Sequence, residues 1–382
     1  MTDLTRAQEN SDQVEPPSLK PNLRFVGITY SKADRKYFHT EEEFISEDEV
    51  YERATVIAKY LEKRGIVVKL YAGDETIVAE LLRDRPNLVI NLVDTIRGEE
   101  TLEPCIPAAL ELAQIPYTGS GILGLSIGSN KYLTKKLLDI AHVPTPKYQF
   151  VVSPNDVIDP EFKYPLISKL NQTHGSVGMT ADAVSANEAE LRKRLRSLIG
   201  TYKQPVLIEE FVGTREVSVI LLDGLRKKVY CGEKVFDAEY LKGSKYTFCT
   251  FDGTWLDEKS WTYKKYDDPK LNEAVRAAFD ILKMDDYAKF DIRLNDDGSF
   301  YFIDCNPNST FGPKEMGIAL GSILDLYGIN FDEILDRLLA NSVQDILEEK
   351  KEEAELFAKN LEKAESKVTS LMVVPTDTSF RA

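Results

Sequence analysis

The segment Tyr287–Asn308 reads YAKFDIRLNDDGSFYFIDCNPN. Two runs rich in aromatic and β-branched residues flank Asp297-Gly298, a favoured two-residue hairpin turn. Centred there, the turn pairs Asp296 with Ser299, Asp291 with Asp304 and Lys289 with Asn306. Side chains alternate along a strand, so Lys289, Asp291 and Arg293 share one face while Phe290 and Ile292 turn towards a core. On the second strand Asp304 and Asn306 share a face, with Ile303 and Cys305 reversed. Like charges directly opposite on a sheet are destabilising. A cation between them reverses that penalty, and oxygen ligands from Asp and Asn suit a hard ion such as magnesium. A solvated hairpin in a register one residue different is the other reading, and the hairpin alone does not choose between them.

Upstream, strand and helix patterns alternate. LRFVGITYS reads as a strand, SEDEVYERATVIAKYLEKRG as one amphipathic helix with an acidic first turn closed at Gly65, and IVVKLYAG as the next strand. PNLVINLVD is a continuous apolar run of the buried parallel-sheet kind, and LEPCIPAALELAQ is a helix. This order predicts an open α/β domain. A second unit begins near Leu123 with the helix NKYLTKKLLDIA and the strands PLISKL and PVLIEEFV. A third holds EVSVILLDG, KKVYCGEKVF, a loop over 238–265, the helix DPKLNEAVRAAFDILKM and the hairpin. The expected boundaries are a tail at 1–22, an N-terminal domain at 23–122, units at 123–215 and 216–343, and a charged helix and tail at 344–382. In that last helix Leu347, Ala354, Phe357, Leu361 and Ala364 form a narrow apolar stripe, expected to pack on the protein's own surface.

Composition narrows the function classes. The chain has 382 residues, 43% hydrophobic and 29% charged, which is ordinary for a globular protein with ample core material. A formal net charge of −15 argues against general nucleic-acid binding and against an anionic membrane surface. No apolar run approaches a membrane span, and the polar N-terminus lacks a signal-peptide apolar region, so a cytoplasmic location is expected. Cys105, Cys231, Cys249 and Cys305 lack paired-ligand spacing, and His39, His142 and His174 are too scattered to suggest zinc.

Three further features are weak singly. Lys169 ends the strand PLISKL, and Gly175-Ser176-Val177-Gly178 follows; such glycines let backbone N–H groups approach phosphate oxygens, or simply make a turn. Lys131 opens a helix, where first-turn amides and an ammonium meet an anion or water. Glu209 and Glu210 end one apolar strand and Glu216 begins another, placed for ribose hydroxyls or for solvent.

Their order is more specific. A lysine, a lysine with a Gly-Ser loop, then IEEFVGTRE and FDIRLNDDGSFYFIDCNPN is the order of the ATP-grasp superfamily. PYTGSG before SNKYLTKKLL, and GSVGM after SKLNQTH, resemble the D-alanine–D-alanine ligase branch over roughly residues 85–340. The resemblance implies an α/β ATP-grasp fold: an N-terminal open, Rossmann-like domain followed by two α+β subdomains that clamp ATP. It implies phosphate contacts from Lys131 and Lys169, a loop over the terminal phosphates comprising His174, Gly175, Ser176, Val177, Gly178 and Met179, and an adenine edge read by the backbone of Glu210 and Val212 beside Glu209 and Phe211. Glu216 would hold the ribose. Asp291, Asp304 and Asn306 would hold one or two Mg²⁺ ions, with Mn²⁺ able to substitute, and Lys289, Ser176 and Arg293 are the candidate catalytic residues. The activity implied is an ATP-dependent carboxylate–amine ligation through an acyl phosphate, on small-molecule carboxylate and amine substrates, with a homodimer left open.

Four features depart from the family pattern. Asp304 stands where a glutamate is usual, and Lys289 where an arginine is. PNSTFGPKEMG is longer than the family's segment and carries Asn308 in place of a glycine. YSKADRKYFHTEEEF replaces a glycine- and serine-rich substrate segment. The expectation is a ligase other than the housekeeping D-alanine–D-alanine enzyme. The alternatives are that enzyme itself, or an ATP-binding module without activity.

Overall fold

The computed structural model describes residues 23–224, 226–257 and 260–342, together with Lys359. The expected C-terminal stripe lies outside the described residues. Three sheets follow one another along the chain. The first is parallel, with strands in the order Val67–Ala72, Phe25–Tyr30, Leu88–Leu92 and Tyr117–Thr118. Leu88–Leu92 is buried along its whole length, as its unbroken apolar run predicts. The helix Val50–Glu62 lays Val50, Ala54, Ile57, Ala58 and Leu61 into the core cluster beside this sheet. The expected single helix over 46–65 is two: Glu41–Asp48, opened by a capping box between Thr40 and Glu43, ends just before Val50–Glu62 begins. The break at Glu49 interrupts an acidic segment that period alone reads as continuous.

The second sheet runs Tyr148–Val151, Val206–Glu210, Leu166–Leu170, Val184–Ser185, all antiparallel. Leu191, Leu195 and Leu198 of the helix Glu188–Tyr202, capped by Asn187, join its core. The third sheet has five antiparallel strands in the order Trp261–Tyr266, Lys228–Phe236, Arg215–Leu222, Tyr287–Leu294, Phe300–Asn306. The stretch expected to be a loop over 238–265 therefore contains the helix Phe251–Trp255 and most of an edge strand. Leu271, Val275, Ala278 and Phe279 of the helix Pro269–Ile281 pack with Phe290, Ile292 and Phe302 of the hairpin. Each fully buried leucine, valine, isoleucine or phenylalanine among them contributes about 2 kcal/mol relative to exposure.

The hairpin differs from expectation at two points that cancel. Asn295 N–H donates to Ser299 C=O at 2.9 Å, so the loop is Asp296-Asp297-Gly298, with Gly298 at φ +83° supplying the left-handed residue of a three-residue turn. Leu294 then faces Phe300, and Ile292 faces Phe302. A β-bulge between Asp291 and Ile292 leaves Ile303 as the extra residue and restores Asp291 opposite Asp304 and Lys289 opposite Asn306. Phe302 therefore enters the core, and Ile303, expected there, lines a cleft instead. Among the described residues no helix is long and apolar enough to cross a membrane.

Candidate functional site

A cleft of about 1050 Å³ takes its walls from all three sheet regions. Every site residue singled out from sequence lines it except Gly178. On its floor Asp291 accepts from Ser218 Oγ at 2.8 Å and lies 2.7 Å from Lys289 Nζ and 4.0 Å from Lys234 Nζ. Burial raises the Asp291 carboxyl, but Lys289 and Lys234 outweigh it and hold it below the usual carboxylate range. Asp304 lies 3.9 Å from Lys131 Nζ and accepts from Cys305 N–H at 3.1 Å. Burial again opposes ionisation, and Lys131, His174, Lys169 and Lys289 overcome it, keeping Asp304 ionised. The repulsion expected between the facing acids is thus already offset by lysines.

Lys131 and Lys169 are both deep. Lys131 Nζ donates to Thr173 C=O at 2.9 Å. Its helix end is less open to an anion than expected, because Leu133 N–H bonds Asn130 Oδ1 and Tyr132 N–H bonds Asn171 Oδ1. Lys169 Nζ lies 2.6 Å from Glu209 and donates to Ile303 C=O at 2.9 Å. Glu209, 1% exposed, also pairs with Lys135, whose Nζ donates to Phe302 C=O at 2.7 Å. Burial opposes charge on Glu209, and Lys135 and Lys169 together keep it ionised. Glu209 therefore ties the middle sheet to the bulge immediately before Asp304.

Glu216 is buried between Lys234 Nζ at 3.2 Å and Arg293 Nη1 at 3.5 Å. Arg293 donates through three nitrogens to the carbonyls of Val212, Gly213 and Thr247, each at 2.8 Å, and its guanidinium lies over the Phe211 ring. With its donors so engaged, it is a positioning group for the 211–213 connection. Glu210 N–H donates to Lys147 C=O at 2.9 Å, and its carboxylate accepts from Lys163 N–H at 2.9 Å.

The Gly-Ser loop carries Gly175, Ser176 and Gly178 at φ +65°, +58° and +73°. Its backbone is held by the N-terminal region: His174 N–H donates to Glu100 at 2.7 Å and Gly178 N–H to Glu42 at 2.6 Å. Trp255 Nε1 donates to Gly175 C=O at 2.7 Å. The His174 ring also meets Glu100, and its Nε2 is buried without a partner among the described residues.

Around the reacting end the chain sets Lys131, Lys135, Lys169, Lys234, Lys289 and Arg293 against Glu209, Glu216, Asp291 and Asp304. The cation excess suits a polyanion such as a triphosphate. The oxygen donors of Asp291, Asp304 and Asn306 fit a hard divalent ion. Among the described residues no three His, Cys, Asp or Glu side chains converge on one point, so such an ion would complete its shell with water or phosphate oxygens, as Mg²⁺ ordinarily does. Sequence reasoning missed Lys135, Lys234 and Ser218. Lys135 had a signal, since it stands four residues after Lys131 on one helix face; Lys234 and Ser218 had none apart from strand alternation.

A family model described as D-ala D-ala ligase C-terminus matches residues 137–340, more than half of the chain. The chain belongs to this family. It is an ATP-grasp ligase of the D-alanine–D-alanine ligase kind, the class that forms amide bonds. The D-alanine–D-alanine ligase of Aquifex aeolicus is 26% identical over 260 residues, spanning 65% of this chain and 81% of that one. A Streptococcus pneumoniae D-alanine–D-alanine ligase is 28% identical over 242 residues, 60% of this chain and 65% of that one. An uncharacterized protein, y4sG, of Sinorhizobium fredii is 26% identical over 267 residues, 66% and 77% of the two chains. Among solved structures, the D-alanine–D-alanine ligase from Bacillus anthracis complexed with ATP superposes with a TM-score of 0.66 at 19% identity, covering 85% of this chain and 99% of that one. This likeness establishes the ATP-grasp fold, with its mixed parallel and antiparallel sheets. The matching model describes the C-terminal part of the family and begins after Lys131.

Proposed function

We propose that this ligase joins two small amino-acid-like substrates, a carboxylate and an amine, at the expense of ATP, and that it is not a housekeeping D-alanine–D-alanine ligase. The observation that carries this reading is the crowding of Lys131, Lys169 and Lys289 around the facing carboxylates of Asp291 and Asp304. In this reading residues 23–122 form the N-terminal domain, and 123–215 and 216–343 are the two subdomains that clamp ATP.

A carboxylate does not acylate an amine at neutral pH without activation. Its oxygen attacks the terminal phosphoryl group of ATP, ADP leaves, and an acyl phosphate forms. The amine then attacks the acyl carbon and inorganic phosphate leaves. Lys131 and Lys169 neutralise phosphate oxygens, and Lys289 faces the charge that develops on the acyl oxygen. Lysine there acts as a point charge without arginine's planar fork. The loop His174–Met179, with Ser176, covers the terminal phosphates and excludes water. Glu210 and Val212 present backbone to the adenine edge, Phe211 and Glu209 flank it, and Glu216 binds the ribose. Asp291, Asp304 and Asn306 would hold Mg²⁺, which supplies charge neutralisation on the transferring phosphate when bound. The cell compartment proposed is the cytoplasm.

The specificity argument rests on the departures. Asn308 Oδ1 accepts from Ser120 N–H at 2.9 Å, so a side chain fills the space where the family pattern has a glycine. Lys314 and Glu315 line the same cleft. Sites built for particular polar groups reject analogues that leave those groups unpaired. The test supplies ATP, Mg²⁺ and D-alanine alone and follows phosphate and dipeptide, then repeats the assay with a panel of amino acids and amines. Another pair is expected to outrun D-alanine. D-alanyl-D-alanine formed as fast as every other product would overturn the specificity claim. No nucleotide-dependent turnover with any pair would favour the ATP-binding module.

A further inference from the structure

The cleft has a second charged wall, contributed by residues of the N-terminal region. Glu47 comes from the helix Glu41–Asp48, Asp94 follows the strand Leu88–Leu92, and Glu100 and Glu103 lie in the turn before the helix Cys105–Ala113. Two of these four carboxylates have a nitrogen partner: Arg53 Nη2 donates to Asp94 at 2.9 Å, and the His174 ring meets Glu100. The other two have none among the described residues. Glu47, 7% exposed, accepts only from hydroxyls, Thr95 Oγ1 at 3.1 Å and Ser31. Glu103 is 6% exposed and faces the cleft, and among the described residues its carboxylate has neither a hydrogen-bond nor an ion-pair partner. A buried carboxylate in that state needs a proton or a cation. Burial first, then Asp94 and Glu100, push both Glu47 and Glu103 well above the usual carboxylate range. Among the described residues the acids do not converge on a metal point, so they rest protonated or take an organic cation.

We propose that this wall recognises a substrate carrying two cationic nitrogens, a diamino acid or a diamine, with one nitrogen at Glu47 and the other at Glu103. The proposal rests on the ligase reading for its place beside the phosphate loop, while the pocket itself is testable by binding alone. The single ammonium of an ordinary amino acid satisfies one buried acid and leaves the other uncompensated. A dication ionises both. Binding then releases protons, so affinity rises with pH until the ligand's own nitrogens begin to lose theirs. The groups facing the pair are Asp94, Glu100, Arg53, His174 and Tyr287, with Ser31 and Thr95 as neutral donors.

Calorimetry on the full chain tests this with both enantiomers of ornithine and 2,4-diaminobutyrate, and with putrescine. Norvaline, 2-aminobutyrate and butylamine are the single-charge counterparts, and each is run in two buffers of different ionisation enthalpy. The expected result is roughly 100-fold tighter binding of at least one dication than of its counterpart, with proton release. Glu103→Gln should shrink that ratio to a few-fold. Equal affinities, or a ratio untouched in both Glu103→Gln and Glu47→Gln, would overturn the proposal. Should the variants fail to fold, the ligand comparison and its pH dependence in the unmodified chain decide alone. ATP binding is measured separately in that chain: its absence would sink the ligase reading and leave a cation pocket standing, whereas ATP binding with no preference for dications would do the reverse.

Discussion

Replacing Glu209 with glutamine tests whether the buried triad holds the middle sheet against the strand that carries Asp304. Lys135 and Lys169 are 3% and 11% exposed at the side chain, and Glu209 is the carboxylate paired with both. Without it, two ammonium groups face each other in a site with little water. Removing one partner from a buried ion pair typically costs about 3–5 kcal/mol. Here Lys135 keeps Phe302 C=O, Lys169 keeps Ile303 C=O, and the glutamine oxygen accepts from one of them, so the lower end, about 3 kcal/mol, is expected. Against a total of roughly 5–15 kcal/mol, that is a large fraction.

The loss has a pH signature. Burial holds Lys135 below its ordinary value even with Glu209 beside it, and the substitution lowers it further. Between the folded and unfolded values the unfolded chain binds more protons, so stability rises with pH. The deficit of Glu209→Gln is therefore fullest below the folded Lys135 value and shrinks as pH climbs towards about 10, the unfolded lysine value. Adding Lys135→Met removes one of the opposed charges and should recover more than half of the loss, a coupling that a double-mutant cycle measures. Urea midpoints of the four proteins at pH 7 and pH 9.5 form the assay. A Glu209→Gln midpoint equal to the parent's at both pH values would refute the clamp.

Three other outcomes are expected. Asp291→Asn and Asp304→Asn should each abolish Mg²⁺-dependent ATP turnover while circular dichroism stays native; because Lys289 and Lys131 lose a partner, each should also cost on the order of 1–3 kcal/mol of stability rather than relieve repulsion, and ordinary turnover in both would remove the metal assignment. Lys169→Ala should raise the Michaelis constant for ATP and lower turnover, and unchanged ATP kinetics would make it a purely structural partner of Glu209 and Ile303 C=O. Arg293→Lys retains the charge but cannot bond the carbonyls of Val212, Gly213 and Thr247 together, so a rise in the ATP Michaelis constant with about 2 kcal/mol of destabilisation is expected, and native kinetics would show the fork to be dispensable.

The facing carboxylates were legible in the sequence, but through two errors that cancel. The turn has one residue more than the Asp-Gly rule assigns, and the strand has one extra residue at Ile303. Side-chain alternation is blind to a bulge, because a bulge is set by what its backbone meets; here Ile303 C=O receives Lys169 from another sheet. The same non-locality hid the edge strand Trp261–Tyr266 and the use of Arg293 as a brace. Each depends on partners tens of residues away.

The acidic wall shows the limit more sharply. Read alone, TEEEFISEDE is a run that water solvates, and nothing in its spacing separates Glu47, 7% exposed, from its neighbours in the segment. Burial of one member is decided by how the helix Glu41–Asp48 meets the loops after Leu88–Leu92 and before Cys105–Ala113. Net charge misleads in the same way. The chain totals −15, yet the reacting end of its cleft carries more cations than carboxylates, while the opposing wall is acidic. A cleft positive at the phosphoryl end and negative beyond it orients a substrate whose carboxylate and cationic nitrogens sit at opposite ends. That polarity comes from how the walls are arranged in space, and a summed charge cannot express it.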